Sequence, residues 1–473
     1  MATSTRPLPR HEADPSFRGL IGVGRADMTP PVGIYCHNWG SSKHETATSI
    51  HRPLQATAIC MRTAADPKPH LIVVMDYCWF IAHRTFEDLR APLLRKFGLD
   101  PQQLLLIVTH THAAPHIDVE LESKPGGALI PAFRRLVSDA LSNAIDQAMA
   151  TAEPAILSWA TGHSNLARKR DFHDAVSGRI LCGPNPDAMA DGTLLVGRVT
   201  AEHTNRILAT LVNYACHPCS LGGGNTAISP DYVGSLRALL EQHTDGAPCL
   251  FLHGPSGDQT PRDSYANDPA VADRNGEILG WSALATLRSL LPPSQRLEFV
   301  REEKSGADLA IWETRPYAVD GSIDMRVKYL QLPRRQWPTP EQIDADMRAA
   351  TDGADVVKLN RLRHYVQNLR DGLPNGFPVW ALRVGQCIFI ATPAEPFVLL
   401  QTRLRAWFPA LAIIVMNDTN GSFNYLPPRD YYGNGAYEQE SADFGAGSLE
   451  IVIDAAADLI TALTGATRER GVA

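Results

Sequence analysis

Short apolar runs alternate with longer helix-patterned segments along this chain, and that alternation is the sequence signature of an α/β protein. The runs are His70 to Met75, Leu104 to Val108, Ile207 to Ala215, Cys249 to His253, Gln386 to Thr392 and Leu411 to Met416. Runs this short suit strands, because a helix in a globular protein usually needs roughly ten residues or more. One helix is expected to open at Ser229-Pro230-Asp231, with serine as cap and proline in the first turn. Another is expected at Thr339-Pro340-Glu341-Gln342, a Thr-x-x-Gln capping box leading into a charged amphipathic stretch to about Leu369. The expected fold is α/β, with mixed sheets flanked by helices. No repeat stands out, and the weak joints, Leu291 to Ser294 and Arg334 to Pro340, are too short for flexible linkers. Residues 1–473 are therefore read as one large domain with an excursion at about 294–372.

Composition narrows the partners. Lys and Arg number 44 against 51 Asp and Glu, a net charge of −7. Neither a nucleic-acid footprint nor a polybasic membrane patch is expected from that balance. No stretch approaches the roughly 18 apolar residues of a membrane helix, and the polar, Pro-rich amino terminus lacks the apolar centre of an export signal. The eight cysteines are scattered without repeated spacing and read as reduced thiols. The expectation is a cytoplasmic protein acting on a small molecule, without stable membrane association. Nothing in the sequence fixes its oligomeric state.

The chemistry-bearing residues cluster where apolar runs stop. Leu104 to Val108 leads into Thr109-His110-Thr111-His112. With a period of two, both imidazoles would project to one side, where they could bind a metal or divide binding and proton transfer. Hydrogen-bonded histidines at a polar strand end are the plainer alternative. Ile207 to Ala215 leads into Cys216-His217-Pro218-Cys219 and a glycine run. No second cysteine pair completes a structural zinc site, so His217 is the more useful residue there. Cys249 to His253 leads into Gly254-Pro255-Ser256-Gly257-Asp258. Ser256 lacks the Gly-x-Ser-x-Gly context of a nucleophile elbow and reads as a turn residue. Asp258 could cap a helix or orient a histidine. Glu395 follows another run between two prolines, and Tyr425 follows the last. Histidine, histidine, carboxylate and phenol thus all lie beyond the carboxyl ends of strands, where α/β sheets bind ligands. Two imidazoles and a carboxylate are a usual catalytic zinc set; iron or manganese would also fit.

The chain resembles the catalytic domain of the neutral ceramidase family from Gly22-Val23-Gly24-Arg25-Ala26-Asp27 to about residue 450. The landmarks are His51-Arg52-Pro53-Leu54, Thr109 to His112, Asn213-Tyr214-Ala215-Cys216-His217-Pro218, Gly257-Asp258-Gln259-Thr260-Pro261, Pro393-Ala394-Glu395-Pro396-Phe397 and Tyr425-Leu426-Pro427. The resemblance implies a zinc amidohydrolase in which His110, His217, Glu395 and Tyr425 hold the metal and His112 serves its water. It also implies a substrate contact at Arg168, with Arg170 as the other candidate. Gly254, Ser256 and Asp258 fall in the loop that reads Ser-Asn-x-Gly-Asp in ceramidases, and are expected to border the substrate. Here Gly254 stands where those enzymes have serine, and Ser256 is shifted. No carboxy-terminal β-sandwich of the ceramidase kind is expected, which directs the expectation from ceramide toward a soluble small molecule. The expected activity is hydrolysis of an amide, or of an ester or lactone. The alternatives are a metal-free Ser256 hydrolase, a non-catalytic binding member of the family, and a metal-dependent lyase or isomerase.

Overall fold

Strands that are apolar on both faces can stack on another sheet and still take helices on the outside. The structure, a computed structural model, describes residues 11–63, 65–351 and 375–469, with 359, 362, 363 and 366 between them. Among these residues the larger sheet contains β1 (Ser16–Asp27), β2 (Gln55–Arg62), β3 (His70–Met75), β4 (Leu104–Val108), β5 (Glu153–His163), β6 (Thr193–Ala201), β7 (Ile207–Tyr214) and β8 (Cys249–His253). Their spatial order is β8-β7-β6-β5-β1-β2-β3-β4. A second sheet is built from β9 (Ile323–Leu330), β10 (Phe377–Val384), β11 (Cys387–Ala391) and β12 (Ala412–Met416), in that order.

The two sheets pack face to face, and helices cover both outer faces. Ile59, Ile72, Ile107, Trp159 and Leu250 meet Trp380, Leu382, Phe389 and Ile414 between the sheets. On the outside of the larger sheet lie α1 (His83–Phe97), α2 (Ile130–Ala150), α3 (Tyr232–Gln242) and α4 (Pro269–Ser289). Further along the chain come α5 (Pro340–Ala349), α6 (Leu399–Trp407) and α7 (Ser448–Thr464), and the last two cover the second sheet. Strand β4 shows why its sequence is continuously apolar: Leu105 and Ile107 enter the space between sheets, while Leu104, Leu106 and Val108 face the helices.

Three strand pairs are parallel and joined by one helix each: β3–α1–β4, β7–α3–β8 and β11–α6–β12. Parallel neighbours need such a crossover, so each pair sends its carboxyl ends the same way. Strands β4 and β8 sit at opposite edges of the larger sheet, yet that sheet curls until they touch. The chain after β12 closes the seam. Asn417 N donates to His253 O at 2.9 Å, Asn420 N donates to Leu106 O at 2.9 Å, and Asn420 Oδ1 accepts from Leu106 N at 2.9 Å. Behind the seam, Arg237 of α3 makes a two-pronged pair with Asp76 at the end of β3, at 3.1 and 2.6 Å, and both side chains are buried.

Helix α3 differs from the expected start. Asp231, not Ser229, is its cap and accepts from Tyr232 N, while Pro230 stays outside the helix. The reason is that Asp231 takes a left-handed φ of 55° and also accepts from Ser220 N and Leu221 N, pinning the glycine run after His217. The Thr339–Gln342 capping box is present at α5. That helix stops at Ala349, and most of the expected continuation to Leu369 lies outside the described residues. Within 294–372, Gln295–Lys304 and Asp308–Pro316 form a hairpin paired to His11–Glu12, and β9 joins the second sheet. Among the described residues all eight cysteines are free thiols, and no helix is long and apolar enough to cross a membrane.

Candidate metal centre

The convergence of parallel strand ends decides which side chains meet. Beyond β4 comes His110, beyond β7 His217, beyond β11 Glu395 and beyond β12 Asp418. Glu395 and Tyr425 are placed together by register, since the short strands Glu395–Pro396 and Tyr425–Leu426 run parallel with those two residues opposite. Strand alternation is not what aims His110 and His112, because β4 ends at Val108. His110 instead takes a left-handed φ of 66°, and Asp418 one of 42°. Non-glycine residues held there carry backbone strain of the kind that collects at functional sites.

His110 Nε2 and His217 Nε2 each lie 3.6 Å from Glu395 Oε2, and all three side chains are buried. Among the described residues Glu395 Oε2 has no hydrogen bond. A buried carboxylate oxygen facing two imidazole nitrogens at that distance is too far to bond either, and leaving it unpaired is costly. The spacing suits a cation instead: bonds of about 2.0–2.2 Å place tetrahedral neighbours roughly 3.3–3.6 Å apart. His110, His217 and Glu395 therefore form a candidate metal-binding group. Burial pushes the Glu395 carboxyl up, against the pull of His110, and holds His217 well below the usual imidazole range. A neutral His217 is the form that ligates.

The surroundings orient these groups. His110 Nδ1 lies 2.9 Å from Asp418 Oδ2, a carboxylate–histidine pair that leaves Nε2 for the metal. Arg170 Nη1 lies 3.0 Å from His217 Nδ1, and its Nη2 donates to the Tyr425 hydroxyl at 3.4 Å. A His217 that ligates through Nε2 carries its proton on Nδ1, where Ser256 Oγ at 3.3 Å can accept it. His112 is half-buried, stacked on Trp39 with ring centres 4.6 Å apart, and 5.5 Å from the His217 ring. A cavity of about 990 Å³ opens over the group, walled by Trp39, Trp79, Tyr265, Phe423 and Tyr437.

Other expected residues stand elsewhere. Arg168 turns back to donate to Asn165 O and Ala167 O and does not line the cavity. Arg170 does line it, but its nitrogens already face Glu438, His217, Cys182 and Tyr425. That leaves no two-pronged face for a substrate carboxylate. Gly254 packs on the Tyr214–Ala215 backbone, where an added Cβ would come within 3.0 Å. Ser256 is fully buried, with Oγ 2.8 Å from His253 Nε2 and 3.3 Å from His217 Nδ1. Asp258 pairs with Lys169 and accepts from Val398 N, ahead of α6 rather than at the next helix in sequence. None of these three lines the cavity. Their loop instead supports Glu395 from behind: Gly257 N donates to Pro396 O, and a Cβ at Gly257 would sit 2.6 Å from Glu395 O.

Asp443, on the cavity wall, accepts from Asn424 N at 2.9 Å and from its Nδ2 at 3.0 Å. Burial pushes its carboxyl up to about 6. A folded-state value above the unfolded one, about 3.9, means stability that is present below pH 4 and lost as pH rises through 6. In metal-free protein, Asp443→Asn is expected to match wild type at pH 4. At pH 8 it should be more stable by about 3 kcal/mol, from roughly two pKa units at about 1.4 kcal/mol each. Denaturant melts at both pH values check this, and a variant no more stable at pH 8 would contradict it.

The sequence matches no protein-family profile and no curated protein. Solved structures do resemble this one. The neutral ceramidase from Pseudomonas aeruginosa aligns over 98% of this chain and 76% of its own, with a TM-score of 0.67 at 18% identity. A ceramidase complexed with C2 aligns over 97% of this chain and 77% of its own, with a TM-score of 0.66 at 17% identity. Identity that low carries the architecture and not the chemistry. Over nearly its whole length, the chain has a neutral-ceramidase-like fold.

Proposed function

We propose that the protein is a zinc-dependent hydrolase that cleaves an amide, or an ester or lactone, of a soluble small molecule by activating water. The observation that carries this reading is Glu395 Oε2, buried and without a hydrogen bond among the described residues, facing His110 Nε2 and His217 Nε2. Those three residues would hold the ion, and Tyr425 would complete the set or donate to the oxyanion that develops on the carbonyl. When bound, zinc supplies a Lewis acid that polarises the carbonyl and lowers the pKa of water from about 15.7 toward about 7. Zinc suits a donor set dominated by imidazole nitrogen.

His112 accepts the water's proton and returns it to the leaving atom. Its stacking on Trp39 fixes the ring while leaving it on the cavity wall. Asp418 holds the His110 tautomer, and burial keeps the Tyr425 phenol protonated, with a hydrogen to donate. The half-buried indoles exclude water around the scissile bond.

A panel of N-acyl compounds, lactams, esters and lactones tests the reading. Hydrolysis should disappear on chelation and return with Zn²⁺, and Ser256→Ala should retain chelator-sensitive turnover. Hydrolysis that ignores chelators and vanishes in Ser256→Ala would support the serine mechanism instead.

A further inference from the structure

We infer that Glu438, which lies outside every sequence motif discussed above, is a positioning residue for the metal centre, acting through Arg170; the inference rests on the metal-centre reading. Glu438 sits on the short helix Tyr437–Glu440, whose first residue lines the cavity. Its Oε1 lies 2.9 Å from Arg170 Nε, and the two side chains are 2% and 5% exposed. Among the described residues it is the carboxylate paired with that guanidinium.

Arg170 cannot shed its charge, since guanidinium stays protonated in proteins. Its Nη1 lies 3.0 Å from His217 Nδ1, and its Nη2 donates to the Cys182 thiol and the Tyr425 hydroxyl. A buried cation this close to the centre will seek an anion, and Glu395 is near enough to feel its field. Glu438 satisfies the charge from the far side. It thereby keeps Arg170 aimed at His217 and Tyr425 and away from Glu395 Oε2, which stays available to a cation. Without Glu438 the guanidinium competes with the metal for Glu395.

The test is Zn²⁺ affinity of the full chain, measured by competition with a chromophoric chelator, alongside thermal melts. Glu438→Gln keeps the shape and an acceptor but removes the charge, so it should fold. It is expected to bind Zn²⁺ about 10–100-fold more weakly, the usual cost of losing a group that orients ligands. In an Arg170→Gln background the same change should alter affinity by less than about 3-fold, because the group it restrains is gone. A generally structural role would weaken both backgrounds equally and would overturn the inference, as would unchanged affinity in Glu438→Gln. Wild-type protein that takes up no Zn²⁺ would overturn the metal-centre reading and this inference with it.

Discussion

Alanine at His110 or Glu395 is expected to remove the bound metal and to lower hydrolysis by at least about 10³-fold. The size follows from the several kcal/mol that a Lewis acid contributes to a developing oxyanion, at about 1.4 kcal/mol per factor of ten. Glu395 separates this from a general loss of folding. Its Oε2 has no hydrogen bond among the described residues, so metal-free wild type carries an unmet buried oxygen that metal-free Glu395→Ala does not. Metal-free Glu395→Ala should therefore melt no lower than metal-free wild type. With Zn²⁺ added, wild type alone should gain stability, because the ion binds the native state and not the unfolded one. Zinc-dependent stabilisation of Glu395→Ala equal to that of wild type would contradict the assignment.

The second large effect is expected at the Arg237–Asp76 pair. Asp76 also accepts from Gln55 N at 2.8 Å and from Thr109 Oγ1 at 3.1 Å, so its carboxylate ties β2, α3 and the residue before His110 together. Removing one partner leaves the other buried and unpaired, which costs about 3–5 kcal/mol. Arg237→Met is expected to lose that much in equilibrium unfolding. The double variant Asp76→Asn/Arg237→Met, which removes the unpaired charge and keeps an acceptor oxygen at that position, should recover part of it. Metal affinity should fall with the single change, because the seam that sets the distance from His110 to His217 loosens. A loss under about 1 kcal/mol would show that the pair does not hold the seam.

The strands were legible because a segment apolar on both faces has few other places to go. His70–Met75, Leu104–Val108 and Cys249–His253 begin and end where their side-chain pattern changes. The residues beyond them were legible for the same reason, since polar groups gather where a parallel strand meets a crevice. What the sequence did not carry was the third dimension of the loops. Arg168 and Arg170 are two positions apart on one strand, Ala167–Asp174, where alternation gives both the same face. What separates them is long-range contact, Arg168 turning back to Asn165 O and Ala167 O while Arg170 meets His217 and Glu438. The Gly254–Asp258 loop looked like a substrate loop, but the close approach its glycines permit is to Tyr214, Ala215 and Glu395 backbone. Asp418 had a readable signal, an acid just past an apolar run, matching the other strand ends. Glu438 had none, because its role depends on a contact between segments some 270 residues apart (170 to 438).

Elemental analysis and X-ray absorption of the full chain, loaded with one equivalent of Zn²⁺ and desalted, test the centre most directly. One retained ion per chain is expected, with a scattering pattern of two imidazoles and light oxygen donors and no sulfur. An ion that washes out, or one bound through thiolates such as Cys216 and Cys219, would contradict a centre built on His110, His217 and Glu395.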